Sequence, residues 1–154
     1  MIIVSGCLLG IPCKYDGGTN LSKTVKGFLT DKSYAMVCPE TMGGLTAPRP
    51  PAEIVGDKVI NDQGEDVTEA FRLGAEKAWR LACERAEEKG EEITLAILKA
   101  RSPSCGSGRV YDGTFAGVVT DGDGIFAALL KEKRIKVITE EELEDYLEEE
   151  TSND

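Results

Sequence analysis

Apolar positions along this chain keep two spacings, and the two alternate. Short β-branched runs stand at Ile2–Ser5, Tyr34–Val37, Ile93–Leu98 and Ile135–Ile138, each long enough for a buried strand. Between them the spacing lengthens to three or four residues. Leu21, Val25, Phe28 and Leu29 share one face of a helix predicted over Leu21–Asp31, with Asn20 as its cap. Phe71, Ala75, Ala78, Ala82 and Ala86, with Trp79 beside them, line the longest predicted helix, which Thr68 caps and Gly90 stops after Lys89. Gly122–Gly124 introduces a helix around Ile125–Glu132, and Thr139 is the predicted cap of a final acidic helix. Glu53–Val55 and Lys58–Asn61 flank Gly56-Asp57 and predict a hairpin.

Strands alternating with helices predict a single α/β domain over residues 1–150. The sheet is expected to be open, mainly parallel and flanked by helices in a Rossmann-like three-layer arrangement, with the hairpin as a small excursion. Residues 151–154 are expected to be a disordered tail. In such sheets ligands bind beyond the carboxyl ends of the strands. Cys7, Cys38 and Cys105 each follow a different predicted strand, so the topology predicts that three thiols distant in sequence meet at one edge.

The chemistry narrows sharply because the chain of 154 residues contains no histidine. No Ser-His-Asp triad, Cys-His pair or imidazole-ligated zinc can be built from it. The work is left to thiols, carboxylates, hydroxyls and backbone groups. Of the five cysteines, Cys83 lies mid-helix and reads as a small core residue. The others sit in glycine- and proline-punctuated turns: Gly6-Cys7-Leu8-Leu9-Gly10-Ile11-Pro12-Cys13, Val37-Cys38-Pro39-Glu40 and Ser102-Pro103-Ser104-Cys105-Gly106. No C-x2-C zinc pair occurs, yet the constellation is a soft donor set suited to zinc or an iron–sulfur cluster. Cys13 is open as a fourth ligand, a replacement ligand or a neighbouring thiol.

Glu40, two residues past Cys38, is within reach of anything bound at the same edge or else is a plain loop carboxylate. Ser102 and Ser104 are by default turn hydroxyls. Arg49 and Glu53 read as either a loop-locking ion pair or substrate contacts.

Composition sets the remaining bounds. The formal charge of −10 disfavours extended nucleic-acid contact, although much of it is concentrated in Glu140–Glu142, Glu144-Asp145 and Glu148–Glu150. The opening run Met1–Cys7 is read as a first strand rather than a lipoprotein processing box, since no basic leader precedes it. No segment approaches the roughly 20 apolar residues of a membrane span. Unpaired thiols in a domain large enough to need no staples point to a cytoplasmic protein. The sequence leaves open whether it is a monomer or a dimer.

The motifs also resemble those of a known family. Cys-Leu-Leu-Gly-x-x-Cys-x-Tyr-Asp-Gly (Cys7–Gly17), Val-Cys-Pro-Glu (Val37–Glu40), Pro-Arg-x-Pro-x-Glu (Pro48–Glu53), Asp-Val-Thr (Asp66–Thr68), Ser-Pro-Ser-Cys-Gly (Ser102–Gly106) and Tyr-Asp-Gly-Thr-Phe-x-Gly (Tyr111–Gly117) look like the stand-alone form of the thiouracil desulfidase family, long catalogued as a bacterial domain of unknown function. The resemblance runs in order from Cys7 to about Leu130. It implies a [4Fe–4S] cluster on three cysteines and a non-redox removal of sulfur from a thiolated nucleobase, with release of hydrogen sulfide. Carried onto this chain, it draws the ligands from Cys7, Cys13, Cys38 and Cys105, and strand-end placement favours Cys7, Cys38 and Cys105. Glu40 would be the acid/base and a serine of Ser102-Pro103-Ser104 would assist, with Ser102 preferred; Ser104, Arg49 and Glu53 are the candidate substrate contacts beside them. The alternatives are a non-catalytic cysteine-ligated metal protein and a metal-free persulfide or sulfur carrier using Cys105 or Cys38.

Overall fold

The computed structural model of the protein describes residues 1–152. Its centre is a parallel sheet of β1 (Ile2–Ser5), β2 (Tyr34–Val37), β5 (Leu95–Leu98) and β8 (Lys136–Thr139), in the order β2-β1-β5-β8. Two antiparallel hairpins lie outside it, β3 (Ala52–Val55) with β4 (Lys58–Asn61) and β6 (Arg109–Tyr111) with β7 (Val119–Asp121). The helices are α1 (Lys23–Phe28), α2 (Pro39–Met42), α3 (Thr68–Lys89), α4 (Ile125–Glu132) and α5 (Leu143–Ser152).

β1 and β5 are buried at every position, as the two inner strands of a sheet covered on both faces must be. Successive side chains leave a strand on opposite faces. Ile3, Ala35, Ala96, Leu98 and Val137 therefore meet the alanine stripe of α3 and Phe126 and Leu130 of α4. Ile2, Val4, Leu95, Ile97 and Ile138 meet Val25 of α1, Leu29 just past its end, and Leu143 of α5. The expected three-layer α/β domain is what forms. Full burial of a side chain such as Phe126 or Leu130 contributes about 1.5–3 kcal/mol.

Three expected caps differ, two of them because a side chain found a tertiary partner. Helix α1 starts late, with Ser22 Oγ accepting from the Val25 N–H at 3.2 Å, and Leu21 is exposed. Asn20 is drawn away to Cys7. Thr68 does not cap α3: its hydroxyl accepts from the Val59 N–H at 2.9 Å, tying the helix to β4, while Asp66 Oδ1 takes the Thr68 N–H at 2.9 Å. Thr139 ends β8, its N–H donates locally to Glu142 Oε1 at 3.0 Å, and α5 begins only at Leu143, three residues later than a cap at Thr139 implied. Helix α5 takes in Thr151 and Ser152 from the expected tail, and positions 153 and 154 lie outside the described residues.

The hairpin β6–β7 and the short helix α2 were not legible in the sequence. Three-residue strands around a glycine-rich loop carry no periodicity, and a four-residue helix carries little more. No helix among the described residues is long and apolar enough to cross a membrane.

Helix α2 rests on α3 backbone to backbone. A Cβ on Gly74 would overlap the Pro39 carbonyl, and one on Gly43 would overlap the Ala70 carbonyl. Gly74→Ala should therefore destabilise the protein by about 1–3 kcal/mol in denaturant unfolding, as overpacking does, although alanine is the better helix former. A neutral or stabilised variant would show that α2 is not seated by this contact.

Candidate active site

The strand order places a switch point between β1 and β5. The chain leaves β1 toward β2 on one side and leaves β5 toward β8 on the other, opening a crevice beyond the carboxyl ends. A cavity of about 440 Å³ occupies it. Cys7, Cys13, Cys38 and Cys105 all line this cavity, with Glu40, Arg49, Glu53, Ser102 and Ser104. Cys83, in α3, does not. The predicted convergence of strand-end thiols is thus what the fold produces.

Each thiol is delivered by a local reason. Cys7 lies in a 3-10 turn that continues β1 and closes at Gly10, whose φ of 93° only glycine adopts freely. Cys38 leaves β2 in extended conformation immediately before Pro39, which starts α2. Cys105 follows the Ser102–Ser104 turn, its N–H donating to Ser102 Oγ at 2.7 Å. All five cysteines are free.

The thiols differ in acidity. Hydrogen bonding from the Cys13 thiol lowers Cys38 to about 6 against the opposing effect of burial, with help from the Thr41 hydroxyl and amide. The same Cys13 thiol lowers Cys7, and Asn20 Nδ2 adds a hydrogen bond to Cys7 Sγ at 3.4 Å. Cys13 itself is pushed up, since its proton is held between the two. Cys105 is pushed up to about 12 by burial, offset in part by the hydroxyls of Ser5 and Ser104.

A second network meets the thiols. Arg49, with a side chain only 6% exposed, donates from Nε to Glu40 Oε1 at 3.1 Å, from Nη2 to the Cys13 carbonyl at 2.9 Å and from Nη1 to the Thr46 carbonyl at 3.0 Å. Of the two readings open for Arg49 and Glu53, the ion pair between them does not form; Arg49 pairs with Glu40. Ser104 Oγ donates to Glu40 Oε2 at 2.8 Å and lies 3.1 Å from Ser102 Oγ. Since the Ser102 oxygen already accepts the Cys105 and Ser104 amides, its hydroxyl proton is free to point at Ser104. The hydroxyl in direct contact with Glu40 is therefore that of Ser104, and Ser102 stands one hydroxyl further away. Glu53 is buried on the far wall, with Oε1 accepting the Gly113 and Phe115 amides at 3.0 and 3.1 Å.

Sequence reasoning missed Asn20, Lys99, Tyr15 and Tyr111, all of which line the cavity. Lys99 follows β5 and is held by Glu140 Oε2 at 3.1 Å. Its position one residue past a strand was the available signal. Tyr15 comes from a loop and Tyr111 from the end of the short strand β6, and only the fold sets where either lies.

The donor set fits an iron–sulfur cluster. Among the described residues no group of three or more Cys, Asp or Glu side chains is arranged to hold a single metal ion. Four thiols line one cavity, two of them shifted toward thiolate, which is a soft donor set of the kind iron–sulfur clusters take.

Comparison with known proteins agrees. The sequence profile of the 2-thiouracil desulfurase family matches residues 2–142. A Bacillus subtilis (strain 168) protein described as uncharacterized protein YbbK is 43% identical over 157 residues, spanning 96% of this chain and 100% of that protein. A solved structure described as the [4Fe-4S]-dependent thiouracil desulfidase TudS is 44% identical, covering 94% of this chain and 93% of its own, with a TM-score of 0.82.

The acidity order gives a test on cluster-free, reduced protein. Thiolate is the nucleophile, so alkylation of Cys38 by iodoacetamide should rise through pH 6 and level off above it, whereas Cys105 should stay unmodified below about pH 10. Peptide mass spectrometry across pH reads both. Equal labelling of the two at pH 7 would contradict the arrangement.

Proposed function

Because this chain belongs to the 2-thiouracil desulfurase family, we propose that it is a [4Fe–4S]-dependent desulfidase that removes sulfur from a thiolated nucleobase such as thiouracil by hydrolysis. The observation that carries the reading is a carboxylate, Glu40, held rigidly inside the thiol-lined cavity with both of its oxygens engaged. A non-catalytic metal site has no use for that group. The reaction exchanges a C=S bond for a C=O bond, with water supplying the oxygen and hydrogen sulfide carrying away the sulfur and two protons. No net electrons move.

Cys7, Cys38 and Cys105 are the ligands we assign to the cluster, with Cys13 as the thiol that buffers their protons or replaces one of them. Bound there, a cluster with one iron free of protein ligands supplies a soft Lewis acid toward the thiocarbonyl sulfur.

The remaining chemistry belongs to side chains. Glu40 Oε2 keeps a lone pair beyond the one that Ser104 occupies, and it takes the proton of the attacking water. The same oxygen returns that proton as the C–S bond breaks. Arg49 fixes Oε1, so the carboxylate cannot rotate away, and its attachment to the Cys13 carbonyl ties the base to the cysteine loop. Ser104 orients Glu40 directly and Ser102 orients Ser104. Tyr15 and Tyr111 provide flat walls for a planar ring. The setting that keeps four such thiols reduced is the cytoplasm, and the acidic surface fits a small substrate rather than a nucleic-acid polymer.

Two measurements test this. Serine replacement of Cys7, Cys38 or Cys105 should abolish or halve the iron bound after anaerobic reconstitution, while Cys83→Ser should bind as much as the wild type. Retention of full iron by Cys7→Ser with loss in Cys13→Ser would exchange their roles. Glu40→Gln keeps the shape and removes the base, so it should hold a normal cluster and lose about 10²–10⁴ in turnover. A loss below about tenfold would assign the base elsewhere.

A further inference from the structure

The cavity contains a second carboxylate that this chemistry leaves unused. Glu53, on β3, is only 9% exposed and lines the same space. Its Oε1 accepts two amides from the β6–β7 loop, Gly113 at 3.0 Å and Phe115 at 3.1 Å. That loop is shaped for the purpose. It turns through left-handed conformations at Gly113 (φ 91°) and Phe115 (φ 58°), and a Cβ on Gly113 would stand 2.8 Å from the Ile54 carbonyl. Only glycine brings its amide that close to β3.

Oε2 has no such partner. It makes no hydrogen bond among the described residues, and because no sealed side-chain oxygen among them is unpaired, Oε2 keeps contact with open space; the open space that Glu53 lines is the cavity. The cations that also line the cavity are already engaged. Arg49 is held by Glu40, Lys99 by Glu140 at 3.1 Å and Lys14 by Asp16 at 3.6 Å. A nearly buried carboxylate with one oxygen pinned and the other bare is an acceptor waiting for a donor from outside the protein. Lactam and thiolactam rings bring such a donor as a ring N–H.

Resting on the thiolated-base reading, we propose that Glu53 is the specificity-determining residue of the site and accepts a hydrogen bond from a ring N–H of the base. The loop amides fix the direction of Oε2, so the site selects rings that carry an N–H at one position and rejects those alkylated there. An analogue lacking that hydrogen leaves a buried acceptor unpaired, which is what gives hydrogen-bonding sites their discrimination.

The test uses anaerobic, cluster-loaded protein and calorimetric titration with uracil, 1-methyluracil and 3-methyluracil, none of which carries sulfur to react. The two methyl isomers have the same bulk and differ in which N–H remains. The wild type should bind one isomer about tenfold to a hundredfold more weakly than uracil, the worth of a hydrogen bond to a charged group, and the other within about threefold. Glu53→Gln keeps an oxygen for the loop amides and places an NH2 where Oε2 was. It should bind uracil about tenfold to a hundredfold more weakly and treat the isomers alike, with cluster absorbance and melting temperature unchanged. Equal binding of the isomers by the wild type overturns the proposal whether or not the variant folds, and so does isomer selectivity retained by the variant. A wild type that neither binds uracil nor releases sulfide from 2-thiouracil would bring down the functional reading and this inference with it. Uracil binding without isomer selectivity would remove only the role of Glu53.

Discussion

Parallel pairing of β1 between β2 and β5 is the constraint on which the rest of this molecule depends. A parallel sheet ends all its strands at one edge, so whatever follows Ser5, Val37 and Leu98 in sequence must begin its path in the same place. The connections that parallel strands require supply α1, α3 and α4, and these bury both faces. The edge that remains open is the one where the chain reverses side between β1 and β5. Cys7, Cys38 and Cys105, successively 31 and 67 positions apart, thereby share one cavity without any local motif to gather them.

The cavity so formed is expensive in free energy. It buries a guanidinium, two carboxylates and several thiols, each of which loses hydration. The structure offsets this by satisfying the groups nearly completely: no sealed side-chain nitrogen or oxygen among the described residues is without a partner. Arg49 is the clearest case, with hydrogen bonds to one carboxylate and two carbonyls. Removing one partner of such a buried pair is far more damaging than its Coulomb energy suggests, because the other charge is left uncompensated. The network therefore holds its geometry against competing arrangements, which a base that must not rotate requires.

The two sides of the cavity are built on different principles. On the sheet side, Cys7, Cys38 and Cys105 hang from strand ends whose positions the core fixes, and α2 is seated by close backbone contact with α3. On the opposite side, Glu53 and Tyr111 belong to the small hairpins, which are joined to each other by the Gly113 and Phe115 amides on Glu53 and to α3 by the Val59 N–H on Thr68. The first side is suited to holding a cofactor of fixed shape. The second presents the carboxylate and aromatic groups that face whatever enters the cavity.

The sequence by itself determined the alternation of strands and helices, the α/β class and the meeting of Cys7, Cys38 and Cys105 at one edge. These follow from residue spacing and from the geometry that any parallel sheet shares. It also isolated Cys83, because a helix interior is a local environment. The tertiary structure alone decided that Asn20 turns to Cys7 instead of capping α1, that Arg49 joins Glu40 rather than Glu53, and that Ser104 rather than Ser102 touches Glu40. Asn20 and Arg49 each leave a partner nearby in sequence for one brought close by folding, and the serine that meets Glu40 is likewise chosen by the fold. Spacing along the chain specifies only the first kind, since the second exists only after the sheet has closed.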